Sequence, residues 1–543
     1  MRKLNKSNIS VYLTYSELFG IKGKEESIKN AIENKPLQDT ILLLSRLQYL
    51  DKMDPDIKRS YLFYLKKKGL LTQRAASVIA SRTILNYQCI LTLWKYIFAY
   101  GTEEMLKKSS NLSENDLIGS VISLFAKIGD TLYRDESKSL EIELIRNIYF
   151  NNRPEVFASL GRSSYIYLDL AADESRYNKK EFIDIQSDFE KLNPYSMKEY
   201  FSIITSLISK FLSSDKKSTN EPVLINPINY YHNTHLDTTG VKVVNELSFS
   251  YSDAKKWAMK TIHNPWDFSL FQIKPLFKYS NECYFPVCTP FLEDKVYESF
   301  FFKVRQMYND DKILGFLGRP FEEYAALLGE ESVNQSKLGH YEFIEEFNYG
   351  ENNSKKSPDV MIKLGNKLAV FEVKNRRVRA ASFLQGDEVT IKKDFNKMNI
   401  EPVQQAFKSI TEIIETTVSN KLESIEEVYI FSVTTNKCRS LGSFENFVKD
   451  KLKDVRESDL IKGFVNLDIE EFEALCYLIS KKRSIFNIVN EFFDNPLTSF
   501  KDFLYQRNFP MKRPKFIDKR IMDAFDNTLE ALGSKEKVKD INH

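Results

Sequence analysis

The feature that most constrains this chain is a two-residue break. Gly365-Asn366 separates the apolar runs "SPDVMIKL" and "KLAVFEVKN", and such a pair between two strand-like runs signals a β-hairpin. Side chains on a strand alternate between faces, so Glu372 and Lys374 project together, away from Phe371 and Val373. A hairpin also brings Asp359 of the preceding strand beside them. Two carboxylates and an ammonium then share one small volume, where a well-packed strand has no structural need of charge.

The neighbouring segments supply a frame for that hairpin. "GRPFEEYAALLGEE" reads as a helix with Phe321, Tyr324, Ala325 and Leu328 on one face, and "YEFIEEFNYG" as an alternating strand that ends in a turn. Beyond the hairpin, "EPVQQAFKSITEIIETTVS" reads as a helix opened by Glu401-Pro402, and "VYIFSVTT" as a strand suited to a sheet interior. The order of elements is α-β-β-β-α-β. Chemically, Mg²⁺ takes oxygen ligands, commonly one or two carboxylates completed by water and substrate phosphate. Asp359 and Glu372 suit that task, with the Val373 carbonyl as a further ligand. Lys374 would position or activate an attacking water, or stabilise charge on a scissile phosphate. The alternative is a charged edge strand.

Pro358-Asp359 followed by Glu372-Val373-Lys374 resembles the PD-(D/E)xK, restriction-endonuclease-like nuclease superfamily, over about a quarter of the chain. The resemblance implies a Mg²⁺-dependent nuclease, Mn²⁺ substituting, that acts without a covalent intermediate and leaves 5′-phosphate and 3′-hydroxyl ends. DNA is the expected substrate and RNA the alternative. The resemblance also implies Glu322 as a metal ligand on the first core helix. Gln405, or the adjacent Gln404, would be the site glutamine on the helix after the third strand. Three arginines lie within five residues after the lysine, and Arg376, Arg377 and Arg379 are candidate contacts to a phosphate backbone; the other reading is a solvated turn.

With 543 residues, 42% apolar and 28% charged, the chain is a globular protein of several domains. The expected architecture is multi-domain α+β or α/β. It has a helical N-terminal domain (1–212), a linker and mixed strand/helix segment (213–310), a nuclease domain (311–440) and a helical C-terminal region (441–543). "SSDKKSTNEP" is the expected linker, Ser187 a helix N-cap, and the last residues, "GSKEKVKDINH", a frayed end. The net charge of +3 restricts nucleic-acid contact to local patches. Five cysteines without a CxxC pair read as reduced thiols, and no apolar run is long enough to span a membrane, so a cytoplasmic protein is expected.

Other motifs carry less. His232 and His235 in "YYHNTH" read as incidental loop histidines. "RNFPMKRPKFIDKR", Arg507 to Arg520, is either a backbone-tracking segment or a solvated strap whose phenylalanines dock on the C-terminal helices. There is no P-loop. The large helical region suggests recognition of a partner subunit, a nucleic-acid structure or a second protomer, as in an effector of bacterial anti-phage defence or restriction. A homodimer or higher oligomer is expected. The competing readings are a non-catalytic nucleic-acid-binding or regulatory protein and an interaction scaffold. Alanine at Asp359, Glu372 or Lys374 is expected to abolish cutting and leave folding nearly unchanged.

Overall fold

The structure, a computed structural model, describes residues 12–47, 50–132, 146, 156–213, 224–338, 340–379, 382, 384, 388–438, 444–481, 483–494 and 499–533. The expected linker and frayed end fall almost wholly outside these residues. The chain forms two compact units, one from Met1–Ser137, Glu199–Phe300 and Thr528–His543, the other from Lys138–Lys198 and Phe301–Asn527. These interleave along the chain, where the sequence reading drew consecutive segments. Among the described residues no helix is long and apolar enough to cross a membrane.

The first unit is mainly helical. Its helix Tyr87–Tyr100, capped by the Asn86 side chain, is buried along nearly its whole length, as an all-round apolar sequence requires. Strands Ser248–Phe249, Leu276–Lys278 and Tyr284–Pro286 form a small sheet, in line with the short strands expected there. His232 and His235 are exposed just after helix Pro227–Tyr231, which agrees with the loop reading. All five cysteines are free thiols.

The second unit holds the hairpin. Helix α1 (Val156–Ser164) continues into a π-helical turn, Tyr165–Leu170. Helix Ile185–Leu192 is capped by Asp184, whose side chain accepts from the Ser187 amide; Ser187 therefore lies inside the helix and is not its cap. Helix α2 (Lys312–Asn334) is followed by strands β1 (Tyr341–Ile344), β2 (Val360–Leu364) and β3 (Lys367–Lys374). Helix α3 (Glu401–Glu415), strands β4 (Glu427–Thr434) and β5 (Ile461–Asp468) and helix α4 (Ile469–Ile479) come next. The sheet order is β5-β4-β3-β2-β1. β1, β2 and β3 are antiparallel, while β3, β4 and β5 run parallel.

The elements of the expected α-β-β-β-α-β order are present through β4, but the chain departs from it twice: a two-stranded ladder, Asn348–Tyr349 with Lys355–Lys356, lies between β1 and β2, and a helix, Glu388–Phe395, precedes α3. β5 corrects the reading of a wholly helical C-terminal region. Its residues include Lys462, Gly463 and Asn466, and it runs without a loop into α4, so its weak pattern merges with the helix. β5 makes β4 an interior strand, which explains why seven of its eight residues are buried.

Each sheet face has its own helices. Leu368, Val370, Val428 and Ile430 pack against Val403, Ala406, Ile410 and Ile413 of α3, and full burial of such side chains contributes about 1.5–3 kcal/mol each. On the other face Phe371 stacks on Phe431 at 4.5 Å and meets the edge of Phe472 of α4 at 5.2 Å. There α2 comes close because Gly329 has no side chain; a Cβ would lie 3.0 Å from Val360 Cγ1. The hairpin turn needs its glycine, since Gly365 has φ +64°.

Candidate active site

Register places the acids. Val360 pairs with Phe371 across the β2–β3 ladder, so one step further Asp359 stands opposite Glu372, with both side chains on one face. The entry to β2 is pinned by Ser357, whose hydroxyl accepts from the Phe347 amide at 2.9 Å and whose amide donates to the Phe347 carbonyl at 2.8 Å. Asp359 Oδ2 accepts from the Val373 amide at 2.6 Å.

Lys374 closes the group. Its Nζ lies 2.5 Å from Glu372 Oε1 and 3.8 Å from Asp359 Oδ2, and the Glu372 side chain is only 1% exposed. Burial pushes the Asp359 carboxyl well above the usual carboxylate range and the Glu372 charge adds to this, while Lys374 and the Val373 amide pull it back. Burial likewise raises Glu372 against the pull of Lys374. For Lys374 burial works downward, but the two carboxylates outweigh it and hold the ammonium above its ordinary value.

Glu322 reaches the same place from α2. Its charge is felt at Asp359, Glu372 and Lys374, and it lines one cleft of about 440 Å³ together with Asp359. Arg319, one turn earlier on α2, donates to Glu322 at 3.1 Å. Seven acids and three basic residues line this cleft, so its own field favours a cation over a bare phosphate.

The oxygen donors here are the two opposed buried carboxylates, whose repulsion a cation would relieve, and the Glu322 carboxylate on the same cleft, the ligand type that a hard divalent cation takes. Among the described residues no group of three or more His, Cys, Asp or Glu side chains is already gathered to hold a metal ion. Lys374 stands on Glu372 instead.

Gln405 is exposed on α3, and no described hydrogen bond joins it to Asp359, Glu372 or Lys374; Gln404 donates to the Lys451 carbonyl at 2.7 Å. Arg376 donates to Glu401 at 3.2 Å, and Arg379 donates to Asp394 at 2.6 Å. The Arg377 guanidinium lies 4.1 Å from the Phe301 ring centroid and donates to Asn375. Each arginine is thus engaged within the protein. In the segment Arg507 to Arg520, Phe509 approaches Phe503 of the C-terminal helix Phe500–Gln506 at 6.4 Å, as the docked-strap reading requires, whereas Phe516 meets Tyr165 of the π-helical turn edge-on at 5.0 Å.

Sequence reasoning missed Asn375, which ties the end of β3 to α2 by donating to the Leu317 carbonyl at 2.6 Å. It also missed Arg176, Tyr177 and Arg319 in the cleft. Only Arg319 had a local signal, three residues before Glu322; Arg176 is far away in the chain. Neither a family model nor a curated protein sequence matches this chain.

Proposed function

We propose that the five-stranded unit is a Mg²⁺-dependent nuclease of the PD-(D/E)xK kind, with Mn²⁺ as a substitute and DNA as substrate. The observation that carries the reading is the opposition of Asp359 and Glu372 in register, with Lys374 2.5 Å from Glu372. Buried like charges are a poor device for stability and a good one for capturing a cation. Asp359, Glu372, Glu322 and the Val373 carbonyl would hold the ion. Bound Mg²⁺ supplies positive charge at the scissile phosphate and acidifies a water. Lys374 has three N–H donors with which to orient that water and neutralise a non-bridging oxygen. The water oxygen joins phosphorus, the bond to the 3′ oxygen breaks, and that oxygen ends with a proton, leaving 5′-phosphate and 3′-hydroxyl ends. The helical unit exceeds what hydrolysis needs, which supports a cytoplasmic effector of anti-phage defence or restriction, acting as a homodimer or with a partner subunit.

The test is a cleavage panel over double-stranded DNA, single-stranded DNA and RNA with Mg²⁺ or Mn²⁺. Asp359→Ala, Glu372→Ala and Lys374→Ala should each lose at least about a hundredfold in rate. Full cleavage by Glu372→Ala, in a preparation free of contaminating nuclease, rejects the reading. A wild-type protein that cuts nothing leaves a non-catalytic nucleic-acid-binding or regulatory protein.

A further inference from the structure

Asn375 follows Lys374 directly at the end of β3, and its side-chain amide joins three elements. Nδ2 donates to the Leu317 carbonyl of α2 at 2.6 Å. Oδ1 accepts from the Thr435 hydroxyl, just past β4, at 3.1 Å and from Arg377 at 2.7 Å. Arg377 is itself fixed, its guanidinium carbon lying 4.1 Å from the Phe301 ring centroid, a contact that orients the planar cation. Both ends of the amide are engaged within the protein, so Asn375 acts on the site through its neighbours.

The grip on α2 falls where that helix is weakest. Leu317 lies in the turn before Pro320, which is inside the helix, and such a proline removes one backbone hydrogen bond and bends the axis. Glu322 follows this turn, and further along Gly329 lets α2 approach Val360 of β2. The stretch that carries Glu322 is thus held at one end by an amide from the lysine strand and at the other by close packing. Mg²⁺ demands near-ideal octahedral geometry with oxygens at about 2.0–2.1 Å, whereas Ca²⁺ accepts longer and more variable distances. A carboxylate on a fixed helix therefore favours Mg²⁺, and one on a helix free to shift favours Ca²⁺.

We infer that Asn375 is a positioning residue: by tying α2 to the end of β3 it fixes Glu322 against Asp359, Glu372 and Lys374, and so sets the site's preference for Mg²⁺ over Ca²⁺. The inference rests on the cation-holding part of the nuclease reading and not on the cutting of a nucleic acid.

Calorimetric titration of the full chain with Mg²⁺ alone and Ca²⁺ alone, without nucleic acid, tests it. The proteins are wild type, Asn375→Ala, Asn375→Asp, Glu322→Gln and the double variant Asn375→Ala with Glu322→Gln. Both Asn375 variants should lower the ratio of Mg²⁺ to Ca²⁺ affinity about tenfold, as loss of an outer partner of a metal ligand does. Alanine removes the whole amide, whereas aspartate keeps its shape and acceptor and loses the N–H, so one answers if the other fails to fold. Aspartate also adds a charge, and a fall common to both assigns the effect to the lost donor. In the Glu322→Gln protein, Asn375→Ala should change the ratio no further, because the residue it acts through is gone. An unchanged ratio in either folded Asn375 variant overturns the inference. So does an equal further fall in the double variant, or a wild type that binds neither cation at millimolar concentration. Binding with the expected ratios in a protein that cuts nothing removes the nuclease reading and leaves the inference. Lys374-dependent cutting with unaltered ratios in the variants does the reverse.

Discussion

At the site, one ammonium holds together two carboxylates that repel each other. With Nζ 2.5 Å from Glu372 and 3.8 Å from Asp359, Lys374 is the counter-charge of the two acids as well as a group that the proposed reaction would use. Removing one partner of a buried ionic group leaves the other uncompensated, which costs about 3–5 kcal/mol; protonation of one acid caps the loss here. In EDTA, Lys374→Met should therefore lower stability by roughly 2–3 kcal/mol, whereas Asp359→Asn and Glu372→Gln should hold or raise the melting temperature. The double variant Lys374→Met with Glu372→Gln should recover most of the loss. Urea and thermal melts of wild type and the four variants check this, and a Lys374→Met protein as stable as wild type would refute it. The expectation that all three alanine variants fold alike is thereby revised. The adjacency of Asp359, Glu372 and Lys374 was legible because strand alternation and a two-residue turn are local rules. The engagement of Arg376 and Arg379 was not, because Glu401 and Asp394 lie many residues further along the chain.

At the scale of elements, the junction between β5 and α4 shows what local pattern cannot reveal. β5 finds its place only by pairing in parallel with β4, more than twenty residues earlier, so its own sequence carries a weak signal. Asp468 ends the strand and caps the helix, accepting from the Glu471 amide at 2.8 Å. Burial and the Glu471 charge push its carboxyl up to about 7 from an ordinary 3.8, against the pull of Lys437. Between those values the folded chain binds a proton that the unfolded chain has released. Stability from this group thus falls as pH rises through that window and levels off above about 7. Asparagine caps as well as aspartate and carries no charge. Asp468→Asn should match wild type near pH ~4 and exceed it by on the order of 2–4 kcal/mol near pH ~8. Melting curves of both proteins across that range decide it, and a gain that does not vary with pH would assign the effect to packing instead.

At the scale of the whole molecule, chain order and folding unit diverge. The unit with the five-stranded sheet draws on residues before and after the segment 311–440 that the sequence marks as its core. Arg162 of α1 donates to Glu473 of α4 at 2.6 and 3.2 Å, and the Tyr324 hydroxyl of α2 donates to the same carboxylate at 2.8 Å. Arg162 and Glu473 are 1% and 0% exposed, so three helices distant in sequence meet on one buried charge. Nothing in "GRSS" or "EEFEALC" announces a partner, since a lone arginine or glutamate in a helix ordinarily faces water. A fragment limited to 311–440 loses both Arg162 and Glu473, and it loses β5. β4 then becomes an edge strand, apolar on both faces, that is a template for aggregation. Such a fragment should show no cooperative urea transition by circular dichroism and should precipitate, while the full chain unfolds cooperatively under the same conditions. A sigmoidal transition from the isolated fragment would mean that the αβββαβ core stands without its fifth strand. The hairpin can be found in the local sequence, but the unit that holds its acids in place is assembled from the chain on both sides of it.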